Sequence, residues 1–190
     1  MIDGFYSVEE LKSFGFKSID LSGPVKISRK ASIYKPELMT IGKNVRIEDY
    51  CVLNGEINIG DNVFIAVFCL LDGHAGIDIE EDVTMAAKVS IHLGSDDYSG
   101  HSLVGSYVPV HLRKERIDGR VVIKKHCILG DSAVVMPNVV LAEGTAVGAM
   151  SFVKTSTEPF GIYAGVPAKR IRERSRDLLE QYELFQQGRL

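Results

Sequence analysis

The chain has 190 residues, of which 45% are hydrophobic and 25% are charged, a size and balance typical of one ordinary globular domain. Its formal net charge of -3 gives no general electrostatic attraction to nucleic acid, so we expect no nucleic-acid partner. It contains no run of about 18 or more apolar residues, so we also expect no membrane span.

The first residues predict a short helical lead-in over residues 1–20. Ser7 and Glu10 have the spacing of a capping box, Leu11 and Phe14 provide an apolar face, and Gly15 is a natural stop. We therefore expect a helix at about residues 7–14. The same region contains acidic residues and no long apolar run, which argues against a secretory signal peptide.

The cysteines predict a reducing compartment. Cys51, Cys69 and Cys127 are odd in number and form no CxxC pattern, so neither a disulfide framework nor a zinc site is expected. Each lies four residues after an aliphatic repeat position, which suggests small, buried packing residues. We expect a cytoplasmic protein.

An aliphatic residue returns at every sixth position in two long stretches. The first run is Ile41, Ile47, Leu53, Ile59, Ile65, Leu71, Ile77, Val83 and Val89. The second run is Ile123, Leu129, Val135, Leu141, Val147 and Val153, and a weaker prelude, offset by two residues near Pro36, is Leu21, Ile27 and Ile33. This period is neither that of a helix nor that of a single strand, and it fits one short strand plus a corner, repeated around a triangular prism. The sequence therefore predicts an all-β solenoid over residues 21–160.

Polar and glycine residues recur where this prism needs corners. Gly42, Gly60, Gly130 and Gly148 each follow an aliphatic repeat position, where a tight backbone is plausible. Asparagine and aspartate also suit corners, because they tolerate unusual backbone angles. The corner candidates of this type are Asn44, Asp61, Asn62, Asp131 and Asn138.

The period is interrupted over residues 92–120, which predicts a loop that leaves the solenoid. This segment contains Tyr98, Leu103, Val104, Tyr107 and Val110, too many apolar residues for a simply disordered insertion. We expect an extruded loop that packs on a neighbouring subunit.

Downstream of Pro167 the spacing becomes helical. A mostly apolar stripe with spacings of four and three is formed by Ile171, Ser175, Leu178, Tyr182 and Phe185. Residues 161–190 are therefore expected to form an exit segment and a C-terminal helix. Such a helix could cover the open end of the solenoid, stabilise a trimer, or do both.

The repeat units resemble those of the hexapeptide-repeat acyltransferase family. The resemblance covers about residues 20–172 and includes the units Ile41–Arg46 and Ile59–Phe64 and the exit segment Ala164–Lys169. It implies a left-handed parallel β-helix and a homotrimer. Within the family, Ser95–Gly100 resembles a group of bacterial sugar acetyltransferases, so the resemblance also implies a sugar or sugar-nucleotide acceptor.

The catalytic base is not where the family resemblance would put it. Many relatives have a histidine on the extruded loop, and matching the last regular strand puts that position at Asp96. The candidates for the role of this histidine are Asp96 and its neighbour Asp97, His92 at the root of the loop, and His101, which directly follows Ser95–Gly100 within the loop. Adjacent carboxylates can raise each other's pKa, or either could orient a histidine, so the sequence leaves the choice open.

Two further residues are candidates for contact with the acceptor. His74 lies one coil of three sixes before His92, so we expect it to stack below that residue. Tyr98 offers an aromatic face and a hydroxyl, which suit a sugar.

The resemblance implies acetyl-CoA as co-substrate and no metal. Matching the family motif assigns CoA contacts to Asp131 and Ala149 on the coils, to Lys154 and Thr155 after the last repeat, and to Arg172 near the exit. The basic residues also suggest this independently, because Lys169 joins Lys154 and Arg172 in a set that suits phosphates. No metal-ligand spacing is visible in the sequence.

The sequence leaves three hypotheses for the function of the protein. The main hypothesis is an acetyl-CoA-dependent acetyltransferase that acts on a sugar hydroxyl in bacterial surface-glycan precursor synthesis (O-antigen or capsule), by direct attack of the acceptor on the thioester. The absent histidine suggests an alternative, N-acetylation of an amino-sugar nucleotide, because a free amine needs less help from a base. The third is a non-catalytic trimeric solenoid scaffold.

Overall fold

The computed structural model describes residues 4–189, which form a three-sided solenoid of short strands with a helix at each end of the chain. The strands in chain order are β1 (Ser18–Ile19), β2 (Lys26–Ile27), β3 (Ser32–Tyr34), β4 (Met39–Ile41), β5 (Arg46–Ile47), β6 (Val52–Ile59), β7 (Phe64–Ile65), β8 (Leu70–Ile79), β9 (Thr84–Met85), β10 (Ser90–His92), β11 (Gly94–Ser95), β12 (Ile117–Asp118), β13 (Val121–Ile123), β14 (Ile128–Leu129), β15 (Val134–Val135), β16 (Val140–Leu141), β17 (Ala146–Val147), β18 (Phe152–Val153), β19 (Gly161–Ala164) and β20 (Lys169–Glu173). The helices are α1 (Val8–Ser13) and α2 (Asp177–Gln186), and short 3-10 turns occupy Pro36–Leu38 and Val110–Leu112.

The strands stack into three parallel faces. One face consists of β2, β5, β7, β9, β14, β17 and β19. A second consists of β3, the first halves of β6 and β8, then β10, β15 and β18, and the third of β1, β4, the second halves of β6 and β8, then β13 and β16. The predicted prism is therefore confirmed, and β6 and β8 are long because each continues across a corner.

The predicted coil of three sixes holds in the first part of the solenoid. Ile47 pairs with Ile65 and Leu53 pairs with Leu71. These side chains point inward and are buried, as are the three free cysteines. Burial of one such aliphatic side chain stabilises a fold by about 1.5–3 kcal/mol, so the stack of coils supplies the core.

Strand β8 contains two extra residues, so the predicted repeat positions at every sixth residue are incorrect for the coil that follows Leu71. Gly55 pairs with Gly73, but Ile57 pairs with Ile77 and Ile59 pairs with Ile79. A strict spacing of six predicts Ile77, Val83 and Val89 as the next repeat positions. The structure instead has Ile79, Met85 and Ile91 there, and these residues pair with Ile123, Leu129 and Val135 of the next coil. The apolar series continues across the insertion because strands alternate with period two, so the inward residue two places earlier is also apolar.

The corners use left-handed backbone, as their residue types suggested. Asn44, Asn62 and Asn138 have φ of 56, 58 and 64 degrees, whereas Asp61 and Asp131 occupy corners without a positive φ. Successive corners are also joined by side chains: Asn44 Nδ2 donates to Asn62 Oδ1 at 2.8 Å, and Asn62 Nδ2 donates to Asp82 Oδ1 at 2.9 Å. The ladder keeps neighbouring coils in register.

The predicted N-terminal helix is confirmed as α1. The Glu10 N–H donates to Ser7 Oγ at 3.3 Å, and the Ser7 N–H donates to the Glu10 carboxylate at 2.7 Å, which completes the capping box. Leu11 is buried and joins the solenoid core. Residues 1–3 of the predicted lead-in and residue 190 of the predicted exit lie outside the described residues, and β1 already pairs with β4 before residue 20.

The C-terminal helix begins later than the sequence predicted. Lys169–Glu173 forms β20, which pairs antiparallel with β19, so Ile171 lies on an exposed strand and not on a helix. This segment forms a strand and not a helix because the edge of β19 provides main-chain hydrogen-bond partners. Arg174 then anchors the exit, since its Nη1 donates to the carbonyls of His126 at 2.7 Å and Gly144 at 2.9 Å.

Helix α2 runs along the side of the prism, beside a corner, and does not cover its open end. The Tyr182 ring lies 5.1 Å from the His126 ring, measured between centroids. A cavity between the helix and the solenoid is lined by Tyr182 together with Asn62 and Asp82 of earlier coils. Of the two roles considered for α2, the structure therefore does not show the first, a cover over the open end of the solenoid. No helix within residues 4–189 has the length and apolar character needed to cross a membrane.

Candidate functional site

The predicted extruded loop leaves the solenoid after β10 and returns at β13. Its two ends form a short antiparallel ribbon, in which Gly94 of β11 pairs with Asp118 of β12. Leu93 is fully buried beneath the ribbon, and the Gly119 N–H donates to the Leu93 carbonyl at 3.0 Å. The base of the loop is thus fixed to the solenoid, while Tyr98 and Tyr107 farther out are 96% and 89% exposed.

A groove of about 600 Å³ lies where the loop leaves the solenoid. The loop and its root contribute His92, Gly94, Ser95, Asp96, Tyr98 and Arg116, and the following coils contribute Val134, Met136 and Phe152. The structure therefore brings together three of the residues singled out in the sequence, His92, Asp96 and Tyr98. One wall is polar and the other is apolar, which suits a polar acceptor beside an apolar acyl chain.

Arg116 is the central charged residue of the groove, and the sequence interpretation missed it. Its Nη1 donates to Asp96 Oδ1 at 3.0 Å, and its Nε donates to both Asp118 oxygens at 2.9 Å. Gly94 makes room for it, because a Cβ on Gly94 would collide with the Arg116 guanidinium. The only signal in the sequence was Arg116 and Asp118 two residues apart, the spacing of neighbours on one face of a strand.

The carboxylates of the loop are weaker bases than the sequence suggested. The Arg116 guanidinium, followed by the Gly105 N–H, holds the pKa of Asp96 below its ordinary value. Hydrogen bonds from Ser99 and Ser102 lower the pKa of Asp97 to about 2. Neither acid has the raised pKa that a like-charged neighbour could have produced, because cationic and N–H donors outweigh that neighbour. Both acids are ionised near neutral pH.

Asp97 organises the loop. Its Oδ1 accepts from the Ser99 N–H at 2.7 Å and from Ser99 Oγ at 2.6 Å, and its Oδ2 accepts from the Ser102 N–H at 2.8 Å. His101 belongs to the same turn, since its Nδ1 lies 2.7 Å from Ser99 Oγ. The structure thus places Asp97 and His101 in a turn beside the groove, and their catalytic roles remain a prediction.

The order of this turn should depend on pH in a definite direction. The lowered pKa means that Asp97 contributes stability above about pH 4, the ordinary range of an aspartate, and that this contribution is lost as the pH falls through about 2. We expect the Ser99 and Ser102 amide resonances to titrate in NMR spectra with a midpoint near that lower value. In an Asp97→Asn control the transition should disappear, and a midpoint close to 4 would contradict the assignment.

His74 does not stack below His92. The residue paired with His92 is Asp72, because the two extra residues of β8 displace His74 from the expected position. His74 instead faces the base of the loop, where its Nε2 lies 2.7 Å from Asp118 Oδ1. The predicted contact with the acceptor stays a prediction, but the position that motivated it was wrong.

The chain is similar over nearly its whole length to known proteins, although no protein-family model matches it. A dTDP-4-amino-4,6-dideoxy-D-glucose acyltransferase from Escherichia coli is 41% identical over 179 residues, which cover 93% of this chain and 92% of that protein. The chain belongs to the hexapeptide-repeat acyltransferase family. It is an acyltransferase by this membership, and its solenoid is the left-handed parallel β-helix of the family, as the sequence resemblance predicted.

Solved structures of one family member resemble the chain just as closely. AntD, an N-acyltransferase from Bacillus cereus, in complex with dTDP and 3-hydroxybutyryl-CoA, has a TM-score of 0.91 and 39% identity over 97% of each chain. A point variant of AntD in complex with dTDP-4-amino-4,6-dideoxyglucose and coenzyme A has a TM-score of 0.93 and 41% identity, with 97% of this chain and 98% of that chain covered.

The residues that the family motif assigns to CoA lie on the later coils. Asp131 and Ala149 stack at one corner, where the Met150 N–H donates to the Asp131 carbonyl at 2.8 Å. Lys154 and Thr155 are exposed directly after β18, and Lys169 and Arg172 are exposed on β20. The assignment of these residues to CoA remains a prediction.

The apolar wall of the groove leads towards this basic end. Phe152 lines the groove, and its carbonyl accepts from the Ala168 N–H at 2.8 Å, one residue before Lys169. A ligand that follows the wall from the loop to the exit would thus pass from apolar contacts to positive charge. Within residues 4–189 no group of three His, Cys, Asp or Glu side chains could hold a metal ion.

Proposed function

We propose that the protein transfers an acyl group from an acyl-CoA to the amino group of a dTDP-linked 4-amino-4,6-dideoxy sugar. The observation that carries this proposal is the similarity to the Escherichia coli acyltransferase, 41% identical over 93% of the chain. The AntD complexes with dTDP, the amino sugar and CoA support the same acceptor and co-substrate. The comparisons thus favour the amine alternative over the hydroxyl transfer that was the main hypothesis.

The chemistry of the groove is consistent with an amine acceptor. The loop has Asp96 at the family's histidine position, and Arg116 keeps that carboxylate ionised and weakly basic. A hydroxyl would need a stronger base to lose its proton during attack, whereas an uncharged amine is already nucleophilic. The carboxylate at this position therefore suits an amine, from which it can accept a hydrogen bond, better than a hydroxyl, and His92 of the same groove stays a candidate base.

The reaction balances without a further reactant. The amine nitrogen attacks the thioester carbonyl, a C–N bond forms, and the C–S bond breaks. The proton lost from nitrogen leaves with the coenzyme A thiol, either directly or through solvent. In this scheme Asp96 orients the amine, Tyr98 contacts the sugar, and Val134, Met136 and Phe152 contact the acyl and pantetheine chain.

We propose a homotrimer, as the family resemblance implies, in which a neighbouring chain covers exposed apolar side chains of the loop such as Leu103, Tyr107 and Val110. The acyl-CoA phosphates would lie near Lys154, Lys169 and Arg172, with Asp131, Ala149 and Thr155 along the coenzyme. A place in bacterial surface-glycan precursor synthesis follows from the sugar-nucleotide acceptor and remains part of the proposal.

Two acceptors that differ in one atom test this function. The purified protein is given dTDP-4-amino-4,6-dideoxyglucose or its 4-hydroxyl counterpart, each with acetyl-CoA and with 3-hydroxybutyryl-CoA. Release of thiol and the product mass are recorded. We expect turnover of the amine alone, and equal or greater turnover of the hydroxyl sugar would overturn the proposal. If neither sugar reacts and acetyl-CoA leaves the thermal unfolding temperature unchanged, the scaffold alternative is supported.

A further inference from the structure

The two extra residues of β8 lie directly beneath the point where the loop leaves the solenoid. His92, the last residue of β10, pairs with Asp72, and Val121, the first residue of β13, pairs with Ile77. The residues between Asp72 and Ile77 include the insertion, and His74 is among them. The coil is therefore widened only where the loop above it begins and ends.

A continuous path of hydrogen bonds connects this insertion to the groove. His74 Nε2 lies 2.7 Å from Asp118 Oδ1, and Asp118 accepts from Arg116 Nε at 2.9 Å. Arg116 Nη1 then donates to Asp96 Oδ1 at 3.0 Å, while Asp96 Oδ2 accepts from the Gly105 N–H at 3.2 Å. The path starts on the rigid solenoid and ends on the part of the loop that lines the groove.

We propose that His74 and Asp118 are positioning residues, which hold Arg116 and through it fix the carboxylate of Asp96 in the groove. The proposal rests on the proposed function for its kinetic consequence but not for its structural one. An arginine side chain has several rotatable bonds, and the guanidinium keeps one orientation only when it is held on more than one side. Asp118 provides the second anchor, and His74 ties that anchor to the solenoid.

The surroundings of Asp118 support this role. Its carboxylate is partly buried, which disfavours charge, yet the donors Arg116 and His74 lower its pKa overall. The facing Gly94 leaves space for the Arg116–Asp118 pair, because a Cβ at this position would collide with both side chains. Because Nε2 of His74 already contacts Asp118, this nitrogen is placed to support the base of the loop.

Amide exchange of two loop residues measures the structural consequence. The Gly105 N–H is bonded to Asp96, at the end of the path, whereas the Ser102 N–H is bonded to Asp97, outside it. We expect His74→Leu to speed exchange at Gly105 by about tenfold and to leave Ser102 unchanged. His74→Gln should stay close to the unmodified protein, because the glutamine amide can place a donor near the position of Nε2.

A second variant and a matched control complete the test. Asp118→Ala removes the anchor itself and should speed exchange at Gly105 at least as much as His74→Leu. His111→Leu makes the same change on an exposed histidine of the same loop and should alter neither amide. Unchanged exchange at Gly105 in both His74→Leu and Asp118→Ala would overturn the proposal.

The kinetic consequence is a change in KM for the acceptor. A displaced Asp96 should raise KM for the amino sugar about tenfold in His74→Leu, with kcat and the KM for acyl-CoA changed by less than about threefold. His74→Gln should restore KM, and equal losses in all three constants would argue against a positioning role. If the unmodified protein turns over no amino sugar, the proposed function fails, while the exchange experiment still decides the role of His74.

Discussion

Replacing Arg116 by methionine is expected to lower kcat/KM for the amino-sugar acceptor by about 100-fold. Methionine keeps much of the length of the side chain but removes the charge that lies between Asp96 and Asp118. Two carboxylates then face each other without a cation, so they repel and Asp96 moves away from the groove. The pKa of Asp96 should also rise towards its ordinary value, because Arg116 is the main cause of its lowering.

Arg120 provides a matched control for this substitution. It also bridges two carboxylates, Glu56 and Asp78, and its side chain is 39% exposed compared with 26% for Arg116. It is not among the residues that line the groove. Steady-state kinetics of Arg120→Met should therefore show a change in kcat/KM of less than about threefold. Similar losses in both variants would mean that Arg116 acts through the general stability of the chain.

Replacing Leu129 by alanine is expected to lower the free energy of unfolding by about 2–5 kcal/mol. Leu129 points inward from β14 and has no exposed surface, and its strand is paired on both sides, with β9 and with β17. The cavity left by the substitution cannot be refilled, because the neighbouring coils hold each other at a fixed spacing. The measurement is the denaturation midpoint and slope at one fixed protein concentration.

The adjacent residue of the same strand is the control. Ile128 points outward and is 42% exposed, so Ile128→Ala removes the same number of carbon atoms from a surface position. We expect a loss below about 1 kcal/mol. If both substitutions destabilise equally, the assignment of inward and outward faces in the later coils is incorrect.

The fold was predictable because its signals are local and repeated. The same apolar spacing recurs in each coil, so the pattern can be recognised despite single exceptions such as a polar corner. The capping box of Ser7 and Glu10 lies within one turn of helix. The start of α2 was not predictable from spacing. Ile171 and Leu178 fit a helical stripe, but an exposed strand edge at β19 decided the conformation of Lys169–Glu173.

The site was predictable only in its location. A break in the period identified the loop, and His92, Asp96 and Tyr98 do meet in one groove. The partners of these residues come from distant positions, as His74 and Asp118 are 44 residues apart in sequence. No local pattern indicates such a pair, and the shift in β8 that brings them together cannot be seen in a count of apolar residues.

The insertion in β8 also determines where this solenoid could be cut and rejoined with coils of a relative. If coils of a relative are joined after Ile79, their residues at the positions of Asp82 and Lys88 lie at the corners. Both of these positions have a φ of 60 degrees in this chain. If the junction is instead placed at Ile77, six residues after Leu71, every residue of the joined coils lies two positions away from its correct place. Inward and outward faces survive that shift, but strand residues enter left-handed corners at a cost of about 1 kcal/mol each. The widened coil and the loop above it, residues 73–120, therefore form one transferable module for building chimeric solenoids.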